Sequence, residues 1–191
     1  MIDDIAQADS PTRTRTRRVI LQAAVSVLSH NPAASLGEIA DAAEVARSTL
    51  HRYFPERSDL LDALRRYASD EIAAATTRAR LHEGSAAEAL VRLCHEYFDC
   101  WDTITWVYMD SMQQESPPSC DDDPLDPGLT ALIERGQRDG TIDAALPAAW
   151  IQQALWALLY SAWEYVRQGA PKHDALTLCL TTLRKVVTPQ G

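Results

Sequence analysis

The run LGEIADAAEVARSTLHRYFPERSDLLDAL, residues 36–64, decides how this chain is read. Ser35 precedes it and Glu38 follows three residues later, the spacing of a capping box at a helix N-terminus. A short helix is expected over 36–43, a tight turn at Glu44-Val45, and a second short helix over 46–53. Phe54-Pro55 breaks the second helix, and Ser58 is expected to cap a long helix running to about residue 81. Leu36, Ile39, Ala40, Val45 and Leu50 would form the apolar joint, with small Ala42 and Ala43 allowing close crossing. That is the plan of a helix-turn-helix. Its second helix points Arg47, Ser48, Thr49, His51 and Arg52 outward, hydrogen-bonding groups that can reach base edges and phosphates in a major groove.

Working outward, the rest of the chain also has a helical period. Upstream, Val19, Ile20, Ala23, Ala24, Val27 and Leu28 mark one apolar face, ended by Asn31-Pro32. Downstream, helices are expected over 86–100, 102–114, 126–139, 147–168 and 173–187. The stretch 115–127, with four Pro and five acids, is expected to be a loop. Alternating β-branched runs are absent, so the fold class is all-α. A helix-turn-helix unit over 12–58 and a helical unit over 59–191 are the expected domains.

Composition sets outer bounds. The 191 residues are 46% hydrophobic and 24% charged, which suits a globular chain with its own core. No apolar run is long enough to span a bilayer, and the acidic start Met1-Ile2-Asp3-Asp4 is unlike a signal peptide. A soluble, cytoplasmic protein is expected. The net charge of −9 is unevenly spread. Residues 1–10 carry −3, residues 11–67 carry +3, and residues 68–191 carry −9. A nucleic-acid contact confined to the basic segment fits that asymmetry.

The region 19–64 resembles the N-terminal domain of the TetR/AcrR transcriptional regulators, on the EIA-type helix, the recognition helix and the capped fourth helix quoted above. Farther on, only the all-helical plan and the segment IERGQRDGTID (133–143) are similar to that family. Two positions depart from its pattern: Glu44 stands where the family turn has Gly, and His51 where it has Tyr. The resemblance implies that Ser35 and Arg57 hold phosphates, that Arg47, Ser48 and Thr49 face base edges, and that His51, Arg52 and Tyr53 contact backbone or flanking bases. Ahead of the first helix, Arg13, Arg15, Arg17 and Arg18 alternate with hydroxyl residues and would form an arm along the backbone or in a minor groove.

The resemblance also implies a homodimer joined through the last two helices, bound to double-stranded DNA at a palindrome. The first of those two is apolar nearly all round, from Trp150 to Trp163, and must be buried on several sides. Aromatic density in the acidic part suits a pocket for a flat apolar ligand, lined by Tyr97, Trp101, Trp106, Met109, Met112, Trp156, Tyr160 and Trp163. The chain then reads as a ligand-responsive regulator, most simply a repressor. A regulator without an effector, or a helical small-molecule binder or enzyme, are the other readings. No catalytic constellation, cofactor or metal site is expected: His82, His95 and His173 are scattered, and no nucleophile elbow or phosphate loop occurs. Four cysteines at 94, 100, 120 and 179 form no CxxC pair and are expected to stay reduced.

Overall fold

The structure is a computed structural model that describes residues 11–112 and 127–189. Among the described residues it consists of helices and turns alone: α1 (Pro11–His30), α2 (Leu36–Ala42), α3 (Arg47–Tyr53), α4 (Arg57–Arg78), α5 (Ala86–Asp99), α6 (Trp101–Met112), α7 (Pro127–Arg138), α8 (Ala148–Arg167) and α9 (Lys172–Val187). None is long and apolar enough to cross a membrane.

Local chemistry starts several of these helices. The Ser35–Glu38 box is formed at α2, and a matching Ser85–Glu88 box opens α5. The start of α4 differs from the expectation. Glu56, not Ser58, is its N-cap, and the Asp59 carboxylate accepts from the Glu56 amide at 3.0 Å. Ser58 therefore lies inside the first turn. The first helix also begins earlier than its apolar face suggests, because Pro11 suits a first helical position and Thr16 returns its hydroxyl to the Thr12 carbonyl. The expected arm at 12–18 is thus the first two turns of α1. Its buried face is shifted too: Ile20, Leu21, Ala24, Val25 and Leu28 point inward, while Val19 stays exposed.

Two apolar clusters divide the molecule. One gathers α1, α2, α3 and the first half of α4 around Ile20, Leu28, Ile39, Leu50, Leu60 and Leu64. Each of these side chains contributes about 1.5–3 kcal/mol by its burial. Leu50, fully buried, ties the recognition helix to the rest. The other cluster gathers α5, α7, α8 and α9 with Ala75 of α4 and its C-cap Ala79. Gly136 lets α7 approach α5: a Cβ there would stand 2.6 Å from Ile142 Cδ1 and 2.8 Å from Ala86 Cβ. The clusters part along α4 between Ala68 and Ala75, well beyond the 58/59 boundary expected from sequence.

Helix α6 belongs to both. Trp101 at its start is buried in the second cluster, and Trp106, little more than a turn later, is buried in the first. Asp110, near its end, grips Arg65 of α4 in a bidentate pair at 2.8 and 3.1 Å. So α4 is not the sole link between the two halves.

Candidate DNA interface and effector region

The turn between α2 and α3 has the shape a helix-turn-helix needs. Glu44 sits at φ 54°, the left-handed region that favours glycine. Its amide donates to Asp41 O at 3.1 Å and the Val45 amide to Ala40 O at 3.0 Å, closing α2 and turning the chain into α3. Ala46 begins α3 without a side-chain cap.

On α3, Arg47, Ser48, His51 and Arg52 are exposed, Thr49 and Tyr53 are half-buried, and Leu50 anchors the opposite side. The Arg47 guanidinium lies over Gly37 of α2, about 3.2 Å from where a Cβ would stand, and faces Asp41 at 3.9 Å. His51 Nδ1 is 3.4 Å from the Pro55 carbonyl. Arg52 and Arg13 both stand over the Tyr53 ring, at 5.7 and 5.9 Å, and Arg17 stands over Phe54 at 5.4 Å. Arg13 and Arg17 are one turn apart on α1, so helix formation carries both to α3. This juxtaposition makes one basic, aromatic-backed surface from α1 and α3.

Other arginines go elsewhere. Arg15 is exposed, two residues from Arg13 and Arg17 and hence on another face of α1. Arg18 turns to Glu71 of α4 at 3.3 Å. Arg57 is committed to the backbone: Nη1 donates to Ala34 O at 2.5 Å and Nη2 to Pro32 O at 2.8 Å. That guanidinium fastens the start of α4 to the α1–α2 turn rather than standing ready for a phosphate. Ser35 is likewise occupied. Its hydroxyl accepts from the Glu38 amide at 3.2 Å and donates to Glu38 Oε2 at 2.8 Å. The Ser35 amide, donating to Glu38 Oε2 at 2.7 Å, and then the Ser35 hydroxyl hold the Glu38 carboxyl below its ordinary pKa, so a negative charge stands where a phosphate contact was expected.

Seven of the eight expected pocket residues fall into three places. Buried Tyr97 and Trp101 and half-buried Trp156 form an aromatic cluster: Tyr97 and Trp156 lie 5.4 Å apart and nearly parallel, and Trp101 is 6.4 Å from Trp156. Trp106 and Met109 instead line a cavity of about 140 Å³ against α1 and α4, with Leu28, Arg57, Leu61 and Asp110. Exposed Tyr160 and half-buried Trp163 pair at 6.1 Å on α8, where Trp163 meets His30 of α1 and donates to Asp102 of α6 at 3.3 Å. The Met112 side chain lies outside the described residues. The acids near the cluster are engaged: Glu96 with Arg78, Asp99 with Lys172, and Asp102 with Trp163.

Sequence reading passed over Gln152, which is fully buried. Its signal was a polar residue one turn before Trp156 on the inward face of an otherwise apolar helix. The Arg65–Asp110 pair carried no such signal, since its partners are 45 residues apart. The hydrogen bond to Asp110 raises the already high Arg65 pKa, so the guanidinium stays charged. Cys94 and Cys179 meet with sulfurs 3.9 Å apart in the core; the contact with Cys179 and burial push the Cys94 thiol up. Burial pushes Cys100 up to about 11.

A solvent-facing basic helix, held by a capped short helix and a tight turn, defines a helix-turn-helix DNA-binding regulator. The family model for bacterial regulatory proteins of the tetR family matches residues 20–64. The chain is 38% identical over 180 residues to the HTH-type transcriptional repressor LfrR of Mycolicibacterium smegmatis, covering 92% of each. It is 27% identical over 175 residues to the HTH-type transcriptional regulator NfxB of Pseudomonas aeruginosa, covering 84% of this chain and 88% of that one. The crystal structure of the TetR-like regulator LfrR from Mycobacterium smegmatis superposes with a TM-score of 0.72 at 33% identity, covering 93% of this chain and 98% of that one. LfrR in complex with proflavine gives 0.66 at 38% identity, covering 92% and 97%. The chain therefore belongs to the TetR family of transcriptional regulators, and it is not an enzyme.

Proposed function

We propose that the protein is a homodimeric cytoplasmic repressor that leaves a palindromic operator when a planar aromatic effector enters beside the Tyr97–Trp101–Trp156 cluster. The observation that carries this reading is α6: Trp101 is part of the aromatic cluster, while Trp106 and Asp110 are packed into the DNA-binding unit. A ligand that displaces Trp101 has a short rigid path to α1 and α4. Releasing DNA about a hundredfold requires an effector preference for the non-binding state of roughly 2.7 kcal/mol. The relative crystallised with proflavine supports a planar ligand.

In this reading Arg47, Ser48 and Thr49 meet base edges, while Arg13, Arg17, His51, Arg52 and Tyr53 meet the backbone. Ser35 and Arg57 serve the scaffold. The second copy docks on α8 and α9, whose outer faces leave Trp150, Tyr160, Tyr165 and Leu178 exposed.

The test is selection of binding sites from random duplex DNA at about 0.15 M salt, where non-specific binding fades. An enriched palindrome is expected, and its loss in a folded R47A/T49A variant. With Arg13, Arg17, Arg47 and Arg52 of each protomer placed at the DNA, log Kd should change with log salt by no more than roughly 7 per dimer. Absence of any enriched sequence would refute operator reading by α3.

A further inference from the structure

Cys94 on α5 and Cys179 on α9 are free thiols in the core, and their sulfurs stand 3.9 Å apart although the residues are 85 positions apart in the chain. A disulfide needs about 2.05 Å, so forming one asks for a movement of about 2 Å across the α5–α9 seam. That seam carries a groove. Leu90 lies one turn before Cys94 and Leu183 one turn after Cys179, each on the same face of its helix as the cysteine. Together with Ala87, Val91 and Val187 they line a groove of about 440 Å³ between α5 and α9. A small oxidant in the groove is within one helical turn of both sulfurs.

The two thiols are not equivalent. The hydrogen bond between them lowers the Cys179 pKa, while the same bond and then burial raise that of Cys94. Cys179 is therefore the sulfur that ionises first and attacks. Cys100 is set apart: it lines a different cavity with Tyr67, Glu71 and Asp102, and burial keeps its thiol protonated. We infer that Cys94 and Cys179 are a two-cysteine redox switch, which a small peroxide closes into an α5–α9 disulfide. The Cys179 thiolate attacks one peroxide oxygen and the O–O bond breaks. Cys179 becomes a sulfenic acid, and the departing hydroxide takes up the proton lost by the thiol, giving water. The Cys94 sulfur then attacks the Cys179 sulfur, the S–O bond breaks, and hydroxide leaves with the Cys94 proton as a second water. Two electrons pass from the thiols to the peroxide. Helix α5 runs into α6 through Cys100, and α6 carries Trp106 and Asp110 into the DNA-binding unit, so drawing α5 toward α9 acts on the helix-turn-helix. The switch needs no ligand beside the aromatic cluster and stands apart from the effector reading.

The full-length wild type and a C100S/C120S protein, which keeps only this pair of thiols, are treated with hydrogen peroxide and compared by intact mass and peptide mapping. A loss of about 2 Da that dithiothreitol reverses, and a peptide linking 94 to 179, are expected in both. C94S, checked for native helicity, should stop at a Cys179 sulfenic acid that dimedone captures. On the operator selected above, oxidised wild type should bind at least about threefold more weakly than reduced, and C179S should show no peroxide effect. Absence of the 94–179 peptide, no dimedone capture in C94S, or a 94–179 bond that leaves DNA affinity unchanged would overturn the switch. The mass and peptide results need no operator. Specific binding absent in both redox states would be a failure of operator reading by α3, and the switch would fall with it.

Discussion

Cutting the Arg65–Asp110 pair loosens helix α6 from the DNA-binding unit without emptying either core, because Trp106 stays in the first cluster. The pair is bidentate, 2.8 and 3.1 Å, and the Asp110 side chain is only 15% exposed. Arg65 is 43% exposed and also touches Asp62 at 2.7 Å. A charge-assisted fork of this kind contributes about 1.5–3 kcal/mol when shielded, and exposure of the arginine reduces that to about 1–1.5 kcal/mol. A double-mutant cycle over R65A and D110A isolates the pairwise part, because Asp62 remains solvated in both arginine-lacking proteins. Urea unfolding at fixed protein concentration should give a coupling energy near that value. In thermal scans D110A should melt about 2–6 °C lower. Its second consequence is functional: effector affinity should stay within about twofold, and the effector-driven loss of DNA affinity should shrink about tenfold. A coupling energy below about 0.3 kcal/mol, or D110A releasing DNA as fully as the wild type, would refute the assignment of α6 as the coupling element.

Three further outcomes follow from local geometry. E44G relieves a non-glycine residue at φ 54° and should stabilise the protein by up to about 1 kcal/mol, read as a higher urea midpoint with an unchanged slope. The Glu38 and Glu88 carboxyls are held below their ordinary value of 4.5, mainly by hydrogen bonds from Ser35 and Ser85. A lowered folded-state pKa gives stability that is complete above that value and lost as pH falls through the folded-state one, so E38Q/E88Q should flatten the acid limb of the stability curve below about pH 5. With Cys94 and Cys100 both raised by their surroundings, a C120S protein should react slowly with thiol reagents at pH 7.5 and become fully reactive in denaturant; fast native labelling would contradict the packing around Cys94 and Cys179.

How much of this was legible in the residues depends on how far apart the partners lie. The 3.6-residue spacing of Leu36, Ile39, Ala40 and Leu50, the Ser35–Glu38 box and the Phe54-Pro55 break lie within one or two helical turns, so the helix-turn-helix and its outward face could be read directly. The left-handed conformation at Glu44 was signalled only by the resemblance, which sets a family glycine at that turn position. The roles of the other cations were not. Arg18, Arg57 and Arg65 look alike as sequence, and each was assigned by what a distant helix or turn brought within reach: Glu71, the Pro32 and Ala34 carbonyls, and Asp110. The tryptophans divide for the same reason. Trp101 and Trp106 are five residues apart, roughly 140° around one helix, so they enter opposite clusters. Sequence periodicity determined that these helices form and which stripe of each is apolar. Only the tertiary arrangement decided which helix each stripe meets, because burial selects partners by position in space, and a charged or aromatic side chain has several partners of equal chemistry along the chain.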